Sequence, residues 1–281
     1  MSSVFEDHRR LFENNRFVYP VVSRRSQGVS IGINLNPDKV CNFDCIYCQV
    51  NRRDESETRF VDMEQLLSEL DSVIRIVMSG ELFQHPRFSA TGESFRRLND
   101  IAFSGDGEPT TFQNFDQIIE RTAELKSSAG LTDTKLVLIS NASMFHRPHV
   151  QRGLALMDIN QGEIWAKLDA GTEDYYRMIE RTKIPFRQIL DNLLAAALVR
   201  PIVIQSLFMK VHGEGPSAEE VLAYANQLLD IQRQGGRIKL IQLYTIARAP
   251  AESFVTPLCA EELNVMALAV RGIVDCPVAV F

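Results

Sequence analysis

The chain has no surplus of positive charge. Thirty Lys and Arg stand against 36 Asp and Glu, for a formal net charge of -6 over 281 residues. Strongly basic domains point to nucleic acid, and the bulk charge gives that class no support. Long apolar runs are missing as well. The longest, residues 193–199, is cut by Arg200 and Pro201, far short of the roughly 20 residues that span a bilayer. Residues 1–10 are polar and charged, without the apolar centre of a secretory leader. A cytoplasmic location without membrane contact is the expectation. No internal repeat and no low-complexity tract is visible. Cysteine is scarce, at five, and the count is odd. In a chain this long that argues against a disulfide scaffold and for a reducing compartment.

Apolar runs alternate with amphipathic stretches. Residues 29–35, 99–104, 135–140, 163–169, 202–209 and 237–246 read as strands. Residues 62–78, 112–127, 148–157, 172–179, 186–198, 217–232 and 260–273 read as helices. Asp62 with Gln65, and Ser217 with Glu220, form capping signals. About six strand–helix units in series argue for a parallel sheet with helical crossovers. The strands are continuous apolar runs, as expected when both faces are buried. The fold class is therefore α/β: a single partial (β/α)6 barrel over residues 29–281, preceded by an N-terminal extension, residues 1–28. Residues 79–97 carry Gly, Pro and His and read as a long loop, a candidate lid.

Three of the five cysteines lie within eight residues, as Cys41-Asn-Phe-Asp-Cys45-Ile-Tyr-Cys48. The segment follows the first predicted strand, the end of a parallel barrel where active sites sit. Iron–sulfur clusters take thiolates, typically four. Three thiolates leave one iron of a four-iron cluster without a protein ligand, which suits binding of a cosubstrate. The competing readings are a zinc site and inert buried thiols. Structural zinc needs four ligands, usually from paired C-x2-C units, and no second pair exists. Buried thiols are common, yet three at this spacing in one loop call for a chemical reason.

C-x3-C-x2-C with an aromatic residue, Tyr47, before the third Cys resembles the signature of the radical S-adenosylmethionine superfamily. The resemblance implies a [4Fe-4S] cluster on Cys41, Cys45 and Cys48. It further implies S-adenosylmethionine on the open iron and reductive cleavage to a 5'-deoxyadenosyl radical that takes hydrogen from a substrate. Ser104-Gly105-Asp106-Gly107-Glu108-Pro109-Thr110 is similar to the family's glycine–glutamate–proline motif, which lines the methionine end of the cosubstrate. The usual first glycine is Asp106 here, so the match rests on Gly107, Glu108 and Pro109. Alone, this segment reads rather as a surface turn before a helix; its place after the strand next to the one bearing the cysteines makes it support. Ser140 and Asn141 end the third predicted strand, where the family places polar groups, although helix caps look the same. Lys167 and Asp169 end the fourth, and a charged pair there reads as a site. Tyr244 and Arg248 belong to the stretch that ends the sixth and are candidates for the adenine. His85 and His212 read as exposed loop histidines.

Within the superfamily the chain resembles uncharacterised iron–sulfur oxidoreductases related to the radical enzymes of tRNA wybutosine synthesis. Those enzymes carry further cysteines upstream, and residues 1–40 contain none. Residues 1–53 hold eight Lys or Arg against five Asp or Glu. Arg9, Arg10, Arg16, Arg24, Arg25, Arg52 and Arg53 are candidates for phosphate contacts, against the plainer reading of a solvated basic surface. The alternatives carried forward are a tRNA-modifying enzyme, a glycyl-radical activase and a non-catalytic electron carrier. A carrier needs a fourth ligand, and Cys259 and Cys276 are the thiols left. A radical enzyme also needs a reductant, expected to be a flavodoxin- or ferredoxin-like protein.

Overall fold

The structure, a computed structural model, describes residues 12–23, 25–51 and 60–281. The chain divides into two compact units. The first comprises Met1–Cys41, Asp54–Ile139 and Arg147–Glu163; the second comprises Asn42–Arg53, Ser140–His146 and Ile164–Phe281.

In the first unit, strands β1 (Val18–Ser23), β2 (Gly28–Ile33), β3 (Leu98–Phe103) and β4 (Lys135–Ser140, its last residue in the second unit) lie in that order. β2, β3 and β4 are parallel and β1 runs antiparallel to β2, with Val18 opposite Ile33. Helices α1 (Met63–Met78), α2 (Phe115–Ser128) and α3 (Pro148–Asp158) follow β2, β3 and β4. Asp62 caps α1, accepting the N–H of Gln65 as the sequence predicts. Leu66, Leu70 and Val73 recur on one face of α1 and are fully buried, as are Ile31, Ile33, Ile101 and Phe103 from the strands.

In the second unit, β5 (Gly162–Lys167, from Ile164 on), β6 (Ile202–Leu207), β8 (Ile238–Tyr244) and β10 (Val278–Val280) are parallel neighbours in that order. β7 (Met209–Val211) pairs antiparallel with β9 (Val255–Pro257). Helices α4 (Glu173–Glu180) and α5 (Phe186–Val199) follow β5; α6 (Ala218–Arg233) and α7 (Ala260–Arg271) complete the unit. Thr172 caps α4 and Ser217 caps α6. Six parallel strand–helix units therefore exist, as the alternation predicts, and the class is α/β.

Four features depart from the sequence reading. The predicted extension contains β1. Its Pro20 sits on the outermost strand of the unit, where a missing N–H breaks no ladder. Glu69 of α1 fixes the entry to β1 by accepting the N–H groups of Arg16 (3.0 Å), Phe17 (2.8 Å) and Val18 (3.1 Å). Residues 79–97 are not a lid. They form two 3-10 turns, Glu81–Gln84 and Glu93–Phe95, bury Leu82 and Phe88, and feed the N-terminal end of β3. Site loops in parallel sheets lie at the other end of the strands. His85 is not an exposed loop histidine: it is half-buried, 5.7 Å from Phe12 and 5.9 Å from Phe88 between ring centroids. β7, β9 and β10 were not foreseen, because three residues carry no usable period. Among the described residues no helix is long and apolar enough to cross a membrane.

Candidate functional site

In the first unit the polar residues gather after β2 and β3. Asn34 is the hub. Its Oδ1 accepts the N–H groups of Asn36 and Asp106, each at 3.0 Å, and its Nδ2 donates to Asp106 Oδ2 at 2.7 Å. Asp106, where the family pattern has glycine, is thus absorbed as a clamp on its own loop. Gly107 passes so close to the 36–40 segment that a Cβ would strike the Val40 carbonyl and the Asn36 side chain. Gly105 meets Asn34 in the same way. Both glycines are needed for close approach of two backbones. Glu108 caps the 3-10 turn Pro109–Thr111, its Oε1 accepting the N–H (3.1 Å) and hydroxyl (2.5 Å) of Thr110. Asn36 Nδ2 donates to Thr111 Oγ1 at 3.2 Å, while its buried Oδ1 has no partner among the described residues. That acceptor, beside Gly107 and five residues before half-buried Cys41, is available to a ligand N–H.

In the second unit, Cys45 and Tyr47 join a buried chain of ionisable groups. The Tyr47 hydroxyl donates to Asp169 Oδ2 and lies 2.9 Å from Glu180 Oε1. The Cys45 thiol donates to Glu180 Oε2. Lys167 Nζ is 2.9 Å from Asp169 Oδ2 and donates to the Tyr244 hydroxyl at 3.1 Å. It also lies 5.2 Å from the centroid of the Tyr47 ring. Asp169 Oδ1 accepts the N–H of Leu207 at 2.7 Å. Four predicted site residues, Tyr47, Lys167, Asp169 and Tyr244, are thus brought together with Cys45.

Burial decides the charges of this network. It pushes the Glu180 carboxyl up to about 8, with the Asp169 charge adding to the effect. Burial, then Glu180, holds the Cys45 thiol well above its ordinary range. Burial and Asp169 do the same to the Tyr47 phenol. Burial alone would lower Lys167, but the Asp169 charge beside it prevails and keeps the ammonium well above its ordinary range. Lys167 and Asp169 form the ion pair, and burial disfavours a second carboxylate at Glu180 beside them.

Glu180 was missed in the sequence. One signal existed: it is the last residue of α4, and helix C-termini favour cations over carboxylates. A buried acid there has a partner elsewhere. Ser140 and Asn141 are employed locally. Ser140 Oγ accepts the N–H of Ala142 at 3.0 Å, and Asn141 Oδ1 accepts the N–H of Ser143 at 3.0 Å. Arg248 Nε donates to Gln49 Oε1 at 2.9 Å. His212 is exposed, its ring stacked 4.5 Å from that of Phe254. Cys259 is exposed at the cap of α7. Cys276 lies just before β10, at the strand end opposite the Lys167 network, and burial lifts its thiol to about 11. Of the basic residues, Arg9, Arg10, Arg24, Arg52 and Arg53 lie outside the described residues.

The donor set fits an iron–sulfur cluster. Cys41, Cys45 and Cys48 are half-buried thiols outside any disulfide, and the Cys48 N–H closes a turn onto the Cys45 carbonyl at 3.0 Å. Among the described residues no three His, Cys, Asp or Glu side chains converge on a single ion. A cluster does not require that, because each thiolate meets a different iron.

Among curated relatives, a Helicobacter pylori protein named UPF0026 protein is 26% identical over 256 residues, which cover 89% of this chain and 72% of that one. The share of a relative's length that the chain spans falls as low as 23%. Two solved structures share the fold. Streptococcus suis SuiB bound to S-adenosylmethionine has a TM-score of 0.58 at 12% identity, over 89% of this chain and 51% of SuiB. TYW1 with a lysine–pyruvate adduct bound has a TM-score of 0.51 at 16% identity, over 88% of this chain and 74% of TYW1. The family described as the Radical SAM superfamily matches residues 35–225, which include all three clustered cysteines and the Gly107-Glu108-Pro109 turn. The chain belongs to the radical SAM superfamily.

Proposed function

We propose that the chain holds one [4Fe-4S] cluster on Cys41, Cys45 and Cys48 and cleaves S-adenosylmethionine to start hydrogen abstraction from an organic substrate. The observation that carries this reading is the set of three half-buried thiols in one loop, none of them in a disulfide. When bound, the reduced cluster supplies the electron that breaks a carbon–sulfur bond of the cosubstrate. The chain's own residues supply binding and orientation. Gly107 lets its loop pack against the 36–40 segment and so places the Asn36 side chain, whose Oδ1 offers an acceptor to the ligand's ammonium. Asn34 holds the Asp106 loop still. Lys167, held as an ammonium by Asp169, faces an anionic group such as a carboxylate. Tyr47 and Tyr244 wall the ammonium with ring faces and limit access of water. Cys276 lies at the strand end opposite this network and Cys259 is exposed at the cap of α7, which favours an open iron over the closed cluster of a carrier. A flavodoxin- or ferredoxin-like protein is the proposed reductant.

The test is anaerobic reconstitution, with iron and sulfide analysis and electron paramagnetic resonance of the reduced protein. Four irons per chain, a spectrum that changes on adding S-adenosylmethionine, and release of 5'-deoxyadenosine are expected. Substituting Ser for any of Cys41, Cys45 or Cys48 abolishes the signal, while Cys259→Ser and Cys276→Ser keep it. Loss of the signal in either of the last two, or zinc without iron, overturns the reading.

A narrower reading makes the substrate a tRNA. It is favoured by the likeness to TYW1 and by the arginines of residues 1–53. Binding that weakens steeply between two salt concentrations supports it, and no binding at physiological salt refutes it.

A further inference from the structure

Only Asn42, Phe43 and Asp44 separate Cys41 from Cys45. The cluster-binding loop is too short to be shaped by a core of its own. Its partners are instead the turn after β4 and the end of α4, all within the second unit.

Asn42 Nδ2 donates to Ser143 Oγ at 2.7 Å, Ser143 Oγ donates to Asn141 Oδ1 at 2.6 Å, and Asn141 Nδ2 donates to Asn42 Oδ1 at 2.9 Å. The three side chains form a closed ring in which each gives one hydrogen bond and takes one. The Asn42 carbonyl accepts the Thr182 hydroxyl at 3.0 Å. Beyond Asn42, the N–H groups of Asp44 and Ile46 donate to the carbonyls of Glu180 (3.1 Å) and Ile179 (2.9 Å). Those carbonyls end α4 and have no partner within the helix. The far side of the ring is itself held. Asn192 of α5 donates to the Ala142 carbonyl at 2.8 Å, and Gln188 donates to the Ser143 carbonyl at 3.0 Å. Ala142 sits at φ 62°, so the turn has a fixed, uncommon conformation.

We infer that Asn42 is a positioning residue: it ties the cluster-binding loop to the turn after β4 and the end of α4 and so sets the direction of the Cys45 thiol that follows it. The inference rests on the cluster reading above. None of the ring's bonds passes through a sulfur atom. A ring of this kind fails as a unit, because removing one member leaves the other two with unspent polar atoms.

The test uses the full chain, reconstituted with iron and sulfide. Two rates are measured: loss of iron to a chelator, and amide exchange at Asp44 and Ile46. In Asn42→Ala and Thr182→Val both rates rise at least tenfold, while exchange in β2 and β3 is unchanged. Thr182→Ser keeps the hydroxyl and restores wild-type rates. The double variant Asn42→Ala with Asn141→Ala is no faster than the faster single one. Wild-type rates in Asn42→Ala, or strictly multiplicative effects in the double variant, overturn the inference. A wild-type chain that takes up no iron refutes the cluster reading instead, and the exchange rates at Asp44 and Ile46 still decide the role of Asn42. Thr182→Val and Ser143→Ala carry the test should Asn42→Ala not fold.

Discussion

Asp100 offers a test of the first unit that needs no cofactor. It lies in β3 opposite Ser30 of β2, 2% exposed, and Ser30 Oγ donates to its Oδ1. Its Oδ2 has no hydrogen bond among the described residues, and neither does the buried Ser26 Oγ. Burial raises the carboxyl from an ordinary 3.8 to about 6, against smaller opposing effects of Ser30 and Ser26. The folded state therefore holds an extra proton between about pH 4 and pH 6. Stability is lost as pH rises through that window, and above about 6 the full cost is present. Moving the carboxyl from 3.8 to about 6 corresponds to roughly 3 kcal/mol. Asp100→Asn removes the charge, keeps an acceptor for Ser30 and supplies an amide N–H towards Ser26. Relative to wild type, the variant gains about 3 kcal/mol at pH 7 and nothing at pH 4. For a chain of this size that is roughly 6 °C in melting temperature. Urea unfolding of both proteins at half-unit steps from pH 4 to pH 8 reads the difference. A difference that is flat with pH, or that grows as pH falls, refutes the assignment of the buried charge.

Glu69→Ala leaves two buried backbone N–H groups, those of Phe17 and Val18, without their acceptor, and at about 1–3 kcal/mol for each it detaches β1; faster amide exchange at Phe17 and Val18 than in α1 reads this. Lys167→Met strands the Asp169 carboxylate, whose side chain is fully buried. It costs roughly 3–5 kcal/mol of stability, and Lys167→Met combined with Asp169→Asn regains most of it in a denaturant melt. Asn34→Ala frees both Asp106 and the turn after it, so the dissociation constant for S-adenosylmethionine rises at least tenfold by calorimetry while iron content holds.

The parts of the fold that could be read from the sequence are those with a period or a cap. Helices α1, α4 and α6 start at Asp62, Thr172 and Ser217 because side-chain oxygens replace missing helical partners there, a local rule visible in one dimension. The three-residue strands β7, β9 and β10 obey no such rule, since pairing rather than composition makes them strands. β1 was hidden by Pro20, which forbids a central strand yet suits an outer one, and strand order is not written in composition.

The candidate site divides along the same line. Cysteines 41, 45 and 48 are legible because three thiols in eight residues have few other uses. Lys167 and Asp169 are legible because charges at a strand end demand a partner, and they found each other and Tyr244. Asn34, Asn42 and Glu180 were not legible, for a common reason. Each is an ordinary polar residue whose role lies in what it faces across the fold: Asp106 is 72 positions from Asn34, Ser143 is 101 from Asn42, and Cys45 is 135 from Glu180. Groups that do chemistry must be unusual residue types, and composition exposes them. Groups that hold those residues in place need only a donor or an acceptor at the right point, which many side chains supply. Asp106 shows the consequence: a residue that departs from the family pattern is accommodated because Asn34, far away in sequence, takes up its carboxylate.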